Sequence, residues 1–136
     1  RNPRCRFDHR TWTIEPRRGR PEQITLAAAL DWCGANSNGE VCLYVEGATF
    51  LRRLVCAACG GRRDGVWCLD HRLPRDSKRC PACGETLVAG GFDRVERLHA
   101  AMLTEHDRQR TLAEAGLKER DVITVKGAEA ERHFEI

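Results

Sequence analysis

The chain has 136 residues, 41% of them hydrophobic and 32% charged, with eight cysteines and a formal net charge of +3. That length permits one domain or two small ones and leaves no room for one large catalytic domain. No apolar run approaches the roughly 20 residues of a membrane span, and the start lacks the charged-then-apolar layout of a leader, so a soluble, cytoplasmic protein without membrane contact is expected.

Residues 1–23 are rich in arginine, proline and polar groups, with Trp12 and Ile14 as the obvious anchors, and are expected to form an extended lead-in or linker. Within residues 1–20 seven arginines stand against Asp8 and Glu15, whereas the last thirty residues lean acidic. The chain begins at Arg1 and its single methionine is Met102. A piece of a longer protein is therefore expected.

Residues 24–49 read as a helix followed by a strand. In "QITLAAALDWCGAN", Ile24, Leu26, Ala27, Leu30 and Cys33 recur at helical spacing, and Gly34 with Asn36 supplies a stop. In "GEVCLYVEG" the period changes to two, with Val41, Leu43 and Val45 on one face and Cys42, Tyr44 and Glu46 on the other.

Residues 50–96 are expected to form a three-stranded zinc ribbon. The run Phe50 to Val55 feeds into the first cysteine pair, "GGRRDG" has the residues of a hairpin turn, and "GVWCLDHRL" reads as the returning strand. A third strand comes from "ETLVAGGFDRVERL", bent or broken at Gly90 and Gly91.

Residues 97–136 are expected to hold a helical segment and two terminal strands. Leu98, Met102, Leu112 and Ala113 support one helix or two with a break near Thr111, where Glu114 completes a capping-box pattern and Gly116 a stop. "DVITV" and "RHFEI" read as a β-hairpin across Gly127. The fold class is thus α+β, a small ribbon flanked by short helices and a C-terminal hairpin.

The strongest chemical signal is Cys56-x-x-Cys59 followed, 20 residues later, by Cys80-x-x-Cys83. A two-residue gap lets both thiolates of one tight turn reach one ion, and Gly60 and Gly84 let the backbone turn away behind each pair. Matched pairs of this kind point to metal in a reducing compartment, not to disulfides or to a thiol oxidoreductase. Four thiolates around zinc leave no open position, so structural zinc is the expected cofactor and no catalytic residue is expected here. Cys68 and His71 form a further half-site, and Cys5 and His9 in "CRFDH" bring the ligand candidates to eight. Against that second site, Cys68 reads better as a small buried hydrophobe beside Trp67, and His71 as an exposed or hydrogen-bonded strand residue.

Cys33 and Cys42 lie on apolar patterns and are expected to pack in the core, while His99, His106 and His133 are expected at the surface. Arginine supplies 20 of the 23 basic side chains. The ribbon arginines Arg52, Arg53, Arg62, Arg63, Arg72, Arg75 and Arg79 offer a surface for nucleic acid or a protein partner, although no aromatic residues interleave them. No GxGxxG after a strand, Walker loop or serine elbow is present, so nucleotide chemistry is not expected from this chain alone.

Taken together, "RNPRCRFDH", "ITLAAALDW", the pairs Cys56/Cys59 and Cys80/Cys83, and "TLAEAGLKERDVITV" resemble the tail of a bacterial ThiF/MoeB/HesA-type protein, an E1-like activating enzyme. The resemblance implies an upstream ATP-using domain that adenylates a ubiquitin-like or sulfur-carrier protein, with this chain as its zinc-bearing accessory region and the carrier as its partner. Both cysteine pairs lie in the tail here, and Asp8 stands where a second cysteine would pair with Cys5. The family's usual zinc site is therefore not carried over to these four positions.

Overall fold

A computed structural model describes residues 12–34, 40–68, 75–89 and 93–136 of the chain. In chain order the elements are β1 (Ile14–Pro16), α1 (Leu26–Leu30), β2 (Cys42–Tyr44), β3 (Phe50–Cys56), β4 (Arg62–Cys68), β5 (Leu87–Ala89), β6 (Arg94–Val95), β7 (Leu98–His99), α2 (Glu105–Gln109), β8 (Val122–Lys126) and β9 (Glu131–Glu135). The fold is mixed α+β, with two sheets and short helices.

The larger sheet has the order β1-β9-β8-β2-β7. Its centre is the C-terminal hairpin, in which Ile123 and Phe134 pair across the strands and the Gly127 amide donates to the Ala130 carbonyl at 2.7 Å. β2 pairs antiparallel with β8, and β7 with β2, while β1 lies parallel to β9. Alternation puts Leu43, Val125, Ile123 and Phe134 on the face that meets the core. Against this face packs α1, whose Leu26, Ala29 and Leu30 are buried. Thr25 starts that helix by accepting a hydrogen bond from the Ala28 amide, as an N-cap does.

The smaller sheet has β3 at its centre. β4 covers one edge, and β5 and β6 follow each other along the opposite edge. Between the pairs Leu51↔Trp67 and Arg53↔Asp64 the register shifts, so Gly65 and Val66 oppose Arg52 alone, as in a β-bulge. Gly65 is needed at that point, because a Cβ there would lie 2.6 Å from the Trp67 ring and 2.7 Å from the Arg110 guanidinium. Arg110 sits over Trp67 with its Cζ 5.2 Å from the ring centroid.

Two apolar clusters result. Phe50, Val66 and Cys68 join the main core, whereas Leu51, Trp67, Leu54, Cys56, Cys80 and Leu87 form a second one. The sheets are further linked by Arg52, which donates to the buried Asp107 carboxylate at 3.1 Å. Asp107 also accepts from the Thr104 amide while Thr104 accepts from the Asp107 amide, the reciprocal box that opens α2.

Several local readings change. Within "GGRRDG", Arg62, Arg63 and Asp64 belong to β4, and the hairpin turn is the cysteine knuckle itself. The one or two helices expected around Leu98 to Ala113 reduce to the α-helix Glu105–Gln109, because Leu98 is taken by strand pairing with Leu43. Thr111 and Glu114 do exchange the capping-box bonds, at 3.1 and 2.8 Å, but they close a turn that Gly116 ends at φ +88°. His133 is buried, bonded through Nδ1 to the Thr124 hydroxyl at 2.8 Å and stacked on Trp12. Cys42, by contrast, is buried as expected, on the sheet face opposite Leu43 and beside Arg97, and burial raises its thiol pKa.

Residues 14–16, inside the expected lead-in, are held as a strand. Glu15 accepts two hydrogen bonds from Arg132, at 2.9 and 2.6 Å, and this fork lowers the Glu15 carboxyl pKa. A carboxyl depressed in the folded state adds stability above its ordinary range and loses it as pH falls through the folded value. The gap in melting temperature between the native protein and Arg132→Ala should therefore be widest near neutrality and close below about pH 4. Gly65→Ala should destabilise by about 1–3 kcal/mol, read from urea denaturation, because the bulge cannot relieve the clash without moving Trp67.

Candidate metal centre

The four expected ligands converge from two turns built alike. β3 ends at Cys56, whose amide donates to Gly61 and whose carbonyl accepts from Gly60; Cys80 makes the same pair of bonds with Glu85 and Gly84. Gly60 and Gly84 adopt φ of +72° and +76°, a left-handed conformation that favours glycine. Each turn therefore carries its two thiols on one side.

The sulfurs of Cys56, Cys59, Cys80 and Cys83 all lie within 4.8 Å of one another, close enough to hold a metal ion. Cys56 stands 3.5 Å from Cys83, and Cys59 the same distance from Cys80. Cys56 and Cys80 are buried at the edge of the second apolar cluster, whereas Cys59 and Cys83 are exposed. Leu87 in β5 pairs with Cys56, so the strand after the second turn locks onto the strand before the first.

Electrostatics divide the four thiols into two classes. The Cys59 and Ala58 amides favour the Cys56 thiolate and lower its pKa; the Cys83 and Ala82 amides do the same for Cys80, to about 7. At Cys83 the Glu85 amide pulls downward but is outweighed by the neighbouring Cys56, Cys59 and Cys80 sulfurs, and the thiol is pushed up to about 12. Cys59 is likewise raised, with the Gly61 amide opposing and Cys80 and Cys56 prevailing. Four sulfurs this close cannot all carry charge without a cation among them.

Gly61 is a further contributor, which cysteine spacing alone did not single out. Its amide donates to the Cys59 sulfur at 3.4 Å, and a Cβ would lie 3.2 Å from the Cys59 sulfur and 3.3 Å from that of Cys80. The doubled glycine after the first pair was the signal that could have revealed it.

Cys68 is fully buried in the main core with Phe50 and Val66, on the face of β4 opposite Trp67, and its amide donates to the Ala115 carbonyl. Cys5, His9 and His71 lie outside the described residues. Among the described residues the four-thiol group is the one cluster suited to a metal. Cys33 donates to the Val125 carbonyl at 2.9 Å, and burial raises its pKa, the opposite of what an activated nucleophile needs. Of the ribbon arginines, Arg52 is ion-paired to Asp107 and Arg53 to Asp64. No described helix is long and apolar enough to cross a membrane.

No protein-family model, curated protein or solved structure matches the chain.

Gly61→Ala should weaken cobalt(II) binding about tenfold in an optical titration, since its methyl presses on two ligand sulfurs at once. Gly60→Ala, which has open space for a Cβ, should instead cost about 1 kcal/mol of stability through its left-handed backbone while leaving the absorption spectrum of the bound metal unchanged.

Proposed function

We propose that Cys56, Cys59, Cys80 and Cys83 bind one structural zinc ion, and that the smaller sheet is a zinc ribbon. The observation that carries this reading is the mutual closeness of the four sulfurs. A regular tetrahedron with Zn–S bonds of about 2.3 Å has sulfurs about 3.8 Å apart, so the cluster needs to move only slightly to meet the ion. The donor set suits zinc, because soft thiolates favour it over the oxygen-seeking cations. When bound, zinc supplies charge balance and a cross-link; all four positions belong to protein sulfur, and none is left for a reacting water.

This chain's own residues do the rest. The two turns present sulfur on one side, their amides stabilise the Cys56 and Cys80 thiolates, and Gly61 keeps the first turn thin enough for Cys59 and Cys80 to approach. Among the described residues the second cluster buries six side chains, two of them cysteines of the centre, so binding of the ion would contribute directly to folding.

For the biological setting we propose an accessory region of a ThiF-type, E1-like enzyme that adenylates a ubiquitin-like or sulfur-carrier protein, with the catalytic domain upstream. The support is the resemblance of "RNPRCRFDH", "ITLAAALDW" and "TLAEAGLKERDVITV" together with the cysteine pairs. In that setting the ribbon positions partners and performs no chemistry. The natural reading frame tests this setting: an adenylating domain encoded in frame before Arg1 is expected, and a start codon at that point would refute it.

The metal reading is tested separately by elemental analysis and denaturation. One zinc per chain is expected in the native protein and none in Cys56→Ser, with Trp67 fluorescence shifting to the red when a chelator strips the ion. Two zinc ions per chain, or full retention in Cys56→Ser, would contradict it.

A further inference from the structure

A groove beside α1 carries a guanidinium whose hydrogen bonds are unspent. Arg17 leaves β1 and lays its Cζ 4.5 Å from the Phe134 ring centroid and 5.1 Å from that of Trp32. Its Nε is buried without a hydrogen-bond partner. The carboxylate two residues away, Glu15, gives both oxygens to Arg132. Arg17 is thus oriented by rings and, although its charge helps lower the Glu15 carboxyl, it makes no ion pair among the described residues, which leaves donor capacity at a fixed place.

The groove has a volume of about 510 Å³ and is walled by Arg17, Arg18 and Gln23, with no acidic residue in its lining. Its floor is apolar. Ile24, Ala28 and Trp32 stand four residues apart along α1 and the turn that follows, so they form one strip, half-buried at its ends and exposed at Ala28. The loop after Arg17 is drawn tight over this strip at Gly19, where φ is +129° and a Cβ would lie 3.3 Å from the Ile24 side chain.

We propose that this groove binds an acidic peptide segment, one carboxylate on the fork of Arg17 with Arg18 behind it and an adjacent apolar side chain on the Ile24–Ala28–Trp32 strip. Charge complementarity sets the sign of the ligand, because the walls supply two cations and an amide. The strip sets its kind. A nucleic acid would need a free ring face for stacking, but Trp32 already has Arg17 over its ring and Phe134 edge-on at 4.9 Å. Holding the guanidinium against two rings before the ligand arrives lowers the ordering entropy that binding must overcome. None of this depends on the metal centre or on the proposed E1-like setting.

The test uses the 136-residue chain and a fluorescein-labelled nonapeptide of alternating glutamate and leucine, followed by anisotropy at low salt. Saturable binding is expected, weakened about tenfold by Arg17→Met, which keeps an apolar stem on the rings but removes the fork. Ala28→Glu should weaken it comparably, since it places a like charge on the groove floor at an exposed position and leaves the Arg17 contacts intact. This second variant decides the matter if Arg17→Met melts at a lower temperature. A lysine–leucine nonapeptide should not bind. The proposal is overturned by absent binding at millimolar peptide or by affinity unchanged in Ala28→Glu. A thymidine dodecamer that displaces the peptide as well as unlabelled peptide does would also overturn it, in favour of a general polyanion surface.

Discussion

The approach of two cysteine turns to one another is the contact on which the smaller sheet depends. Two of the six buried residues in its apolar cluster are themselves the thiols of Cys56 and Cys80, leaving Leu51, Leu54, Trp67 and Leu87 as the hydrocarbon. Four thiolates this close repel one another, and a cation bound among them would relieve that repulsion and cross-link the two turns.

The consequence reaches beyond the sulfurs because β3 and β4 serve two cores at once. Phe50, Val66 and Cys68 face the main core while Leu51 and Trp67 face the second. A shift in either strand therefore disturbs both. Three further contacts stiffen the junction: Arg52 to Asp107, Arg110 over Trp67, and the Cys68 amide to Ala115. The bulge at Gly65 is the geometric condition for the second of these, since it opens the space that the Arg110 guanidinium fills. The helix that receives Arg52 is only five residues long, and its carboxylate does double duty as cap and ion-pair partner.

What could be read from the sequence was local, and what could not was distant. The cysteine turns are legible because C-x-x-C followed by glycine encodes its own hydrogen bonds, and the C-terminal hairpin because alternation and Gly127 lie within fifteen residues. β1 was not legible: Ile14 pairs with His133, across nearly the whole chain, and Glu15 finds Arg132 there. The helical reading around Leu98 to Ala113 held only at Glu105–Gln109 for a related reason, since Leu98 fits a helical stripe but is claimed by Leu43 in the sheet. His133 looked like a surface residue because its neighbours are charged, yet Trp12 covers one face of its ring. The groove is assembled from the same distant pieces, with Arg17 held by Phe134. A single sequence offers no signal for that contact.

The two turns also show why similar sequences need not be interchangeable. Gly61 and Glu85 occupy equivalent places, each accepting a hydrogen bond at its carbonyl from the first cysteine of its own turn. Each also directs its amide at the second cysteine, Cys59 and Cys83 respectively. Yet a side chain is carried at Glu85, exposed to solvent, while at position 61 a Cβ would meet two sulfurs. The difference follows from what comes next. After Gly61 the chain runs straight back into β4 beside β3, so the turn is pressed between its own strand and the opposing Cys80. After Glu85 the chain passes through the Thr86–Arg79 bridge before joining β3 at Leu87, which leaves the second turn room on its outer side. The near-twofold pairing of the cysteines is thus broken by the sheet they serve, and the tolerance of each turn to substitution is set by the strand that leaves it.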